Sequence, residues 1–172
     1  FCQCRAAVTL MGPVLPAADL ALRLRGGQAA LFPTDTLPAL AATPSAAADL
    51  WQLKRRPPDK PLILMAADLD QLLGYLAADW PADAPPEWLQ QAELCWPGAV
   101  TLVLPIRGAC TDQLHPGGAS LGLRIPDCAM ARDLLRLSGP LATTSINRSG
   151  EAAARDAVEA AAVFNDLPVL AP

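Results

Sequence analysis

"SAAADLWQLKRRPPDKPLILMA", residues 45–66, holds in one stretch the alternation on which the fold depends. The first half reads as a helix with Ser45 as its N-cap, since a serine hydroxyl can accept from the free amides of a first turn. Pro57-Pro58 stop it, because proline lacks the amide hydrogen and clashes with the preceding turn. "PLILMA" (61–66) then reads as a short buried strand.

The same punctuation recurs outward from this stretch. Towards the N-terminus, "PAADLALRLRGG" puts Leu20, Ala21 and Leu24 on one helical face and stops at Gly26-Gly27. "QAALFP" (28–33) reads as a strand feeding the polar run "PTDT" (33–36). Towards the C-terminus, "DLDQLLGYLAAD" is a helix capped by Asp68, "DWPADAPP" a loop, and "PEWLQQAELC" a helix opened by proline. "AVTLVLPI" reads as a strand, residues 107–118 as a loop, and "ASLGLRIP" as a strand. "DCAMARDLLRL" follows as a helix, "PLATTS" as a strand, "INRSGE" as a loop, and a last helix covers 155–164. Strands alternating with helices predict an α/β fold: a single domain over 12–172 with a twisted mixed central sheet flanked by helices. Residues 1–11, ahead of and including Met11, are read as a non-native or over-extended start.

Composition narrows the function. The 172 residues are 52% hydrophobic and 17% charged, enough apolar material for a packed core. A net charge of −4 argues against a globally basic nucleic-acid binder, although a local basic groove remains open. No apolar run is long enough to cross a membrane. The five scattered cysteines have no zinc spacing, so no metal site is expected and a reduced, cytoplasmic protein is.

The basic segment carries the strongest chemical signal. Lys54 and Lys60 are the only lysines, in a chain otherwise rich in arginine. A basic helix end is ordinarily a solvated complement to the helix dipole. Here three prolines stiffen the backbone around it. Lysine offers a point charge and arginine a planar fork, and a rigid loop holding both suits a polyphosphate. "TTSINRSG" (143–150) is a strand end followed by a polar turn, and Asn147 is one of two asparagines. Asp35 in "PTDT" reads either as a local turn former or as part of a small polar binding site. His115 is expected to be an exposed loop residue. There is no G-x-x-x-x-G-K-[ST] and no G-x-G-x-x-G after a strand, so any nucleotide is held by another architecture. There is no G-x-S-x-G elbow around Ser145 either.

Five ordered pieces, "PTDT", "LKRRPPDKPL" (53–62), "WPGAVTLVL" (96–104), "GLRIP" (122–126) and "TTSINRSG", together resemble the YrdC/TsaC family of threonylcarbamoyl-AMP synthases. The resemblance implies a YrdC-like fold and a nucleotidyltransferase that makes threonylcarbamoyl-AMP and pyrophosphate from L-threonine, bicarbonate or CO2, and ATP. It implies a catalytic group of Lys54, Arg56, Ser145 and Asn147, with ATP contacts from Arg56, Lys60, Thr101 and Ser145. It further implies L-threonine contacts from Thr34, Thr36, Arg124 and Thr143. Mg²⁺ is expected with the ATP, and the product is expected to pass to tRNA threonylcarbamoyl transferase proteins for modification of adenosine 37 (t6A). The family's Tyr-Gly after the first motif is replaced by Pro38-Ala39, and the chain looks like the short form without a second domain. The main rival is an RNA-binding module, for dsRNA or tRNA, using the same basic groove without catalysis. A HypF-type carbamoyl-adenylate former ranks lower.

Overall fold

The computed structural model describes residues 12–172, so the expectation about residues 1–11 lies outside the described residues. Its centre is an eight-stranded mixed sheet. In chain order the strands are β1 (Val14–Leu15), β2 (Ala30–Phe32), β3 (Ala39–Ala42), β4 (Ile63–Met65), β5 (Leu102–Leu104), β6 (Leu121–Arg124), β7 (Leu141–Ser145) and β8 (Val169–Leu170). Across the sheet they run β1-β8-β2-β3-β7-β4-β6-β5. The pairs β1·β8, β2·β8 and β4·β6 are parallel and the rest antiparallel.

Seven helices cover the two faces: α1 (Ala17–Arg25), α2 (Ala47–Lys54), α3 (Leu69–Tyr75), α4 (Pro86–Cys95), α5 (Ala109–Leu114), α6 (Ala129–Ser138) and α7 (Ala157–Val163). Alternation along each strand sends neighbouring side chains to opposite faces. Leu31, Leu40, Leu64, Leu123 and Ala142 therefore meet Leu50 and Trp51 of α2, Leu72 of α3 and Leu114 of α5 in one core. Ala30, Phe32, Ala41, Met65 and Leu141 meet Leu20 and Leu24 of α1 and Leu134 and Leu135 of α6 in the other.

The α1/α6 layer stops short, and this shortfall makes the site. Register pairs Ala39 with Ser145, Ile63 with Thr143, and Ile63 with Gly122. These residues share a face with Met65 and Leu141 and line open clefts beyond the helices.

Three sequence expectations change, and one unassigned stretch forms a strand. Ser45 is not the N-cap of α2: Pro44–Ala46 form a 3₁₀ turn, Ala46 takes the cap position, and the Ser45 hydroxyl meets that of Thr43. Residues 39–42, to which the sequence reading gave no element, form β3. The expected loop over 107–118 contains α5, whose first amides are capped by Asp79 at 3.3 and 2.9 Å. His115 is half-buried at the end of that helix, its Nδ1 2.9 Å from the Ser120 carbonyl oxygen. Asp68 does cap α3, accepting from the amide of Gln71 at 2.9 Å.

Candidate active site

Lys54 is the last residue of α2 and is only 2% exposed. The helix packs on the Leu31/Leu40 face, but its final side chain reaches round the end of β7. There the ammonium donates to the Ser145 carbonyl oxygen, to Asn147 Oδ1 at 2.7 Å, and more weakly to Ser145 Oγ at 3.4 Å. Asn147 Oδ1 also accepts from Ser145 Oγ at 2.8 Å, while its Nδ2 donates to the Glu151 carbonyl at 2.7 Å. The turn after β7 is tied back to α2 by Ser149 N donating to Lys54 O at 3.0 Å. Every oxygen around the ammonium is neutral. Burial, and next the Arg56 charge, push the Lys54 pKa down from 10.5 to about 8.

Arg55 takes the left-handed conformation at the helix end (φ 51°), and the chain reverses there. Arg55 is left exposed and Arg56 returns towards the sheet. Arg56 Nη1 donates to Thr144 Oγ1 at 3.2 Å and Nη2 to the Pro61 carbonyl at 3.4 Å. Its Nε is buried with no partner among the described residues. Burial lowers the Arg56 pKa and nearby Asp59 partly offsets that. Neither Lys54 nor Arg56 has an ion-pair partner among the described residues.

Arg124, at the end of β6, is arranged differently. Its Nε donates to the Gly98 carbonyl at 3.1 Å and Nη1 to Thr36 Oγ1 at 3.0 Å. Nη2 forms an ion pair with Asp35 Oδ1 at 2.7 Å, with side chains 10% and 15% exposed. Asp35 is thus a long-range partner of Arg124. The local turn is closed instead by Thr34, whose Oγ1 accepts from Thr36 N at 3.1 Å and donates to Leu37 O at 2.8 Å.

Between these two centres lies a cavity of about 220 Å³, bounded by Thr34, Thr36, Arg124, Thr143 and Ser145. Its apolar wall includes Pro38, Ala39 and Met65. A second cavity of about 260 Å³ shares Ile63 with it and reaches Thr101, His115 and Gly122. A β-carbon at position 122 would come within 3.4 Å of Ile63 and Thr101, so glycine keeps this floor low. The sequence-predicted residues therefore fall into three places. Lys54, Arg56, Ser145 and Asn147 form one centre; Thr34, Thr36, Thr143 and Arg124 border the first cavity; Thr101 lines the second. Lys60 stands exposed beside its rim, with its backbone carbonyl accepting from Trp51 Nε1 at 2.9 Å. Sequence reasoning missed Thr144, the hydroxyl that holds Arg56, and the Gly98 carbonyl that holds Arg124.

No three His, Cys, Asp or Glu side chains converge among the described residues. The one carboxylate paired beside the first cavity, Asp35, is already engaged by Arg124. Resident Mg²⁺ sites use carboxylates, so this donor set does not fit a resident ion.

Fold and site together define a class: a mixed α/β protein that sets unpaired cations beside a hydroxyl-lined cavity on an uncovered part of one sheet. Comparison with known proteins gives the family. A family model named for Sua5, YciO and YrdC, described as "Telomere recombination", matches residues 23–170. A protein of Chromohalobacter salexigens named threonylcarbamoyl-AMP synthase is 37% identical over 89% of this chain and 82% of its own length. One of that name from Bacillus subtilis is 35% identical over 78% of this chain, which spans only 39% of that longer protein. The structure of P. abyssi Sua5 complexed with L-threonine matches with a TM-score of 0.80 at 27% identity. It covers 93% of this chain and 49% of its own. The chain belongs to the Sua5/YciO/YrdC family.

Proposed function

We propose that this protein is an L-threonylcarbamoyladenylate synthase, an enzyme joining L-threonine, bicarbonate or CO2, and ATP into threonylcarbamoyl-AMP and pyrophosphate. The observation that carries the reading is the pair of cations, Lys54 and Arg56, held by neutral oxygens beside a small hydroxyl-lined cavity. A P. abyssi relative is known in complex with L-threonine, and the first cavity is of a size and polarity to hold that amino acid.

The chemistry asks for little proton transfer. Threonine's neutral amine adds to CO2, forming the N–C bond and releasing one proton to solvent, to give a carbamate. A carbamate oxygen then bonds to the α-phosphorus of ATP as the bond to the pyrophosphate oxygen breaks. The nucleophile is already an anion, so the barrier lies in bringing negative charges together and stabilising the leaving group. Lys54 and Arg56 supply fixed positive charge for the phosphates, and Lys60 adds to it at the rim. Ser145 and Asn147 hold the Lys54 ammonium in place and orient the nucleotide. Thr101 borders the nucleotide on the β5 side. Arg124, with Thr34, Thr36 and Thr143, receives threonine. Mg²⁺ would enter as part of the nucleotide substrate. The product would pass to tRNA threonylcarbamoyl transferase proteins for t6A formation, a role that suits a cytoplasmic protein. No helix among the described residues is long and apolar enough to cross a membrane.

The RNA-binding reading is not favoured. A backbone-tracking groove needs a long run of displayed cations, whereas this chain carries a net charge of −4 and its only lysines lie in one ten-residue stretch.

The deciding experiment is pyrophosphate release from ATP by the purified protein, with L-threonine and bicarbonate each supplied or withheld. Release that requires both is expected. Release without either, or none under any condition, would sink the synthase reading.

A further inference from the structure

The cleft must take two unlike anions, a polyphosphate and a single carboxylate, without exchanging their places. Resting on the functional reading above, we propose that Asp35 sorts them: by pairing with Arg124 it makes that centre accept a monocarboxylate and refuse phosphate.

The geometry separates Asp35 from the substrate. Thr34, Thr36 and Arg124 line the first cavity, whereas Asp35 does not. It acts on a ligand only through Arg124, as a specificity-determining residue behind the cavity wall. A guanidinium has five N–H donors. Three are engaged by Gly98 O, Thr36 Oγ1 and Asp35 Oδ1, which leaves 5 − 3 = 2, one on each Nη, for a ligand. Two N–H groups on adjacent nitrogens match the two oxygens of a carboxylate.

Charge then decides which anion takes them. The Arg124–Asp35 pair sums to zero, so a ligand there gains two hydrogen bonds but feels the nearby carboxylate. That repulsion scales with ligand charge. It is modest for an amino acid carboxylate and several times larger for a triphosphate. Lys54 and Arg56 are held by neutral oxygens only, and the nearest carboxylate, Asp59 near Arg56, is not paired with either cation. Phosphate is thereby directed to one centre and carboxylate to the other. With Asp35 neutral, the largely buried Arg124 becomes an unpaired cation, a general anion trap. The turn itself does not depend on Asp35, because Thr34 closes it.

The test is calorimetric binding of L-threonine to the full chain, with and without inorganic phosphate, for wild type, Asp35→Asn and Asp35→Glu. For wild type and Asp35→Glu, phosphate is expected to change threonine affinity by less than about twofold, and for Asp35→Asn to weaken it roughly tenfold, by competition. Asp35→Ser provides the same comparison with a smaller neutral side chain. If both neutral variants bind threonine and ignore phosphate, the inference is overturned. It is also overturned if they stay folded but no longer bind threonine, since Asp35 would then build the site and not sort its ligands. Wild type that binds no threonine overturns the functional reading itself, a separate result.

Discussion

Lys54 and Arg124 are both largely buried cations beside one cleft on the sheet, yet their surroundings are opposite. Lys54 sits among a carbonyl, a hydroxyl and a side-chain amide, with no negative charge to balance it. Arg124 has a carboxylate at 2.7 Å. A buried charge without a counter-ion is costly in the empty protein. Such a cost is tolerable where a ligand supplies the missing charge. The contrast teaches that the empty site is written in complement: the unbalanced centre awaits the highly charged substrate and the balanced centre the weakly charged one.

The sharpest way to break this contrast is to remove the unbalanced charge. Lys54→Ala should leave the fold intact and lower turnover by about 100- to 1,000-fold, the usual loss when one transition-state donor is removed. Steady-state pyrophosphate release would measure it. Turnover within threefold of wild type would mean that Lys54 is not the phosphate partner, and the comparison would lose its first half.

The second half is tested by Arg124→Ala. Losing a charge-assisted contact to the threonine carboxylate should raise the KM for L-threonine by about 10- to 100-fold, from about 1.5–3 kcal/mol, with the KM for ATP nearly unchanged. An equal rise for both substrates would show that the two centres do not divide the work.

Protonation sharpens the same point without touching catalysis. The folded-state pKa of Lys54 lies near 8, below its ordinary 10.5. Between those values the unfolded chain binds more protons at this residue than the folded one. Stability attributable to Lys54 therefore rises as pH goes from 8 to 10.5, and below 8 the full cost of burying its charge is borne. Replacing Lys54 by Met removes that cost. Denaturant unfolding should find Lys54→Met more stable than wild type at pH 7, with the gap narrowing by pH 10. Saturating pyrophosphate, whose charge favours the protonated lysine, should narrow the gap already at pH 7. A gap that is absent at pH 7 would mean that the neutral oxygens fully replace water around the ammonium.

How far the sequence could disclose these centres follows from the kind of signal each residue carries. β2 and β4 were legible because each is a compact apolar run beside turn residues, and β6 and β7 because short apolar starts lead into a charged or polar end bounded by turn residues. β3 was not: "ALAA" has no β-branched or aromatic residue, and it follows Leu37-Pro38, which reads as loop. α5 has six residues between Gly108 and the His-Pro-Gly-Gly run, so composition outweighed its short period. Two-residue strands such as β1 and β8 exist only through their partners. In the site, lysine rarity pointed to the right loop. The meeting of Lys54 with Ser145 and Asn147, across 91 and 93 positions, rests on how α2 reaches round the end of β7. The resemblance supplied it and local pattern did not. Asp35 read as either a local turn former or part of a small polar site, because nothing in "PTDT" shows that Arg124 lies 89 residues away in sequence and 2.7 Å away in space.

Thr144 gives the smallest and most discriminating test. Among the described residues it is the one side chain that holds Arg56, donor to acceptor at 3.2 Å, while the Pro61 carbonyl makes only a long contact at 3.4 Å and Nε has no partner there. Thr144→Val keeps the β-branched shape that suits β7 but removes the acceptor. One neutral acceptor is worth about 0.5–1.5 kcal/mol, so the KM for ATP should rise roughly two- to tenfold, with L-threonine affinity unchanged. Thr144→Ser, which restores the hydroxyl, should recover most of the loss. If valine and serine behave alike, Arg56 is placed by its backbone alone. The left-handed turn at Arg55 would then be what orients the second cation of the unbalanced centre.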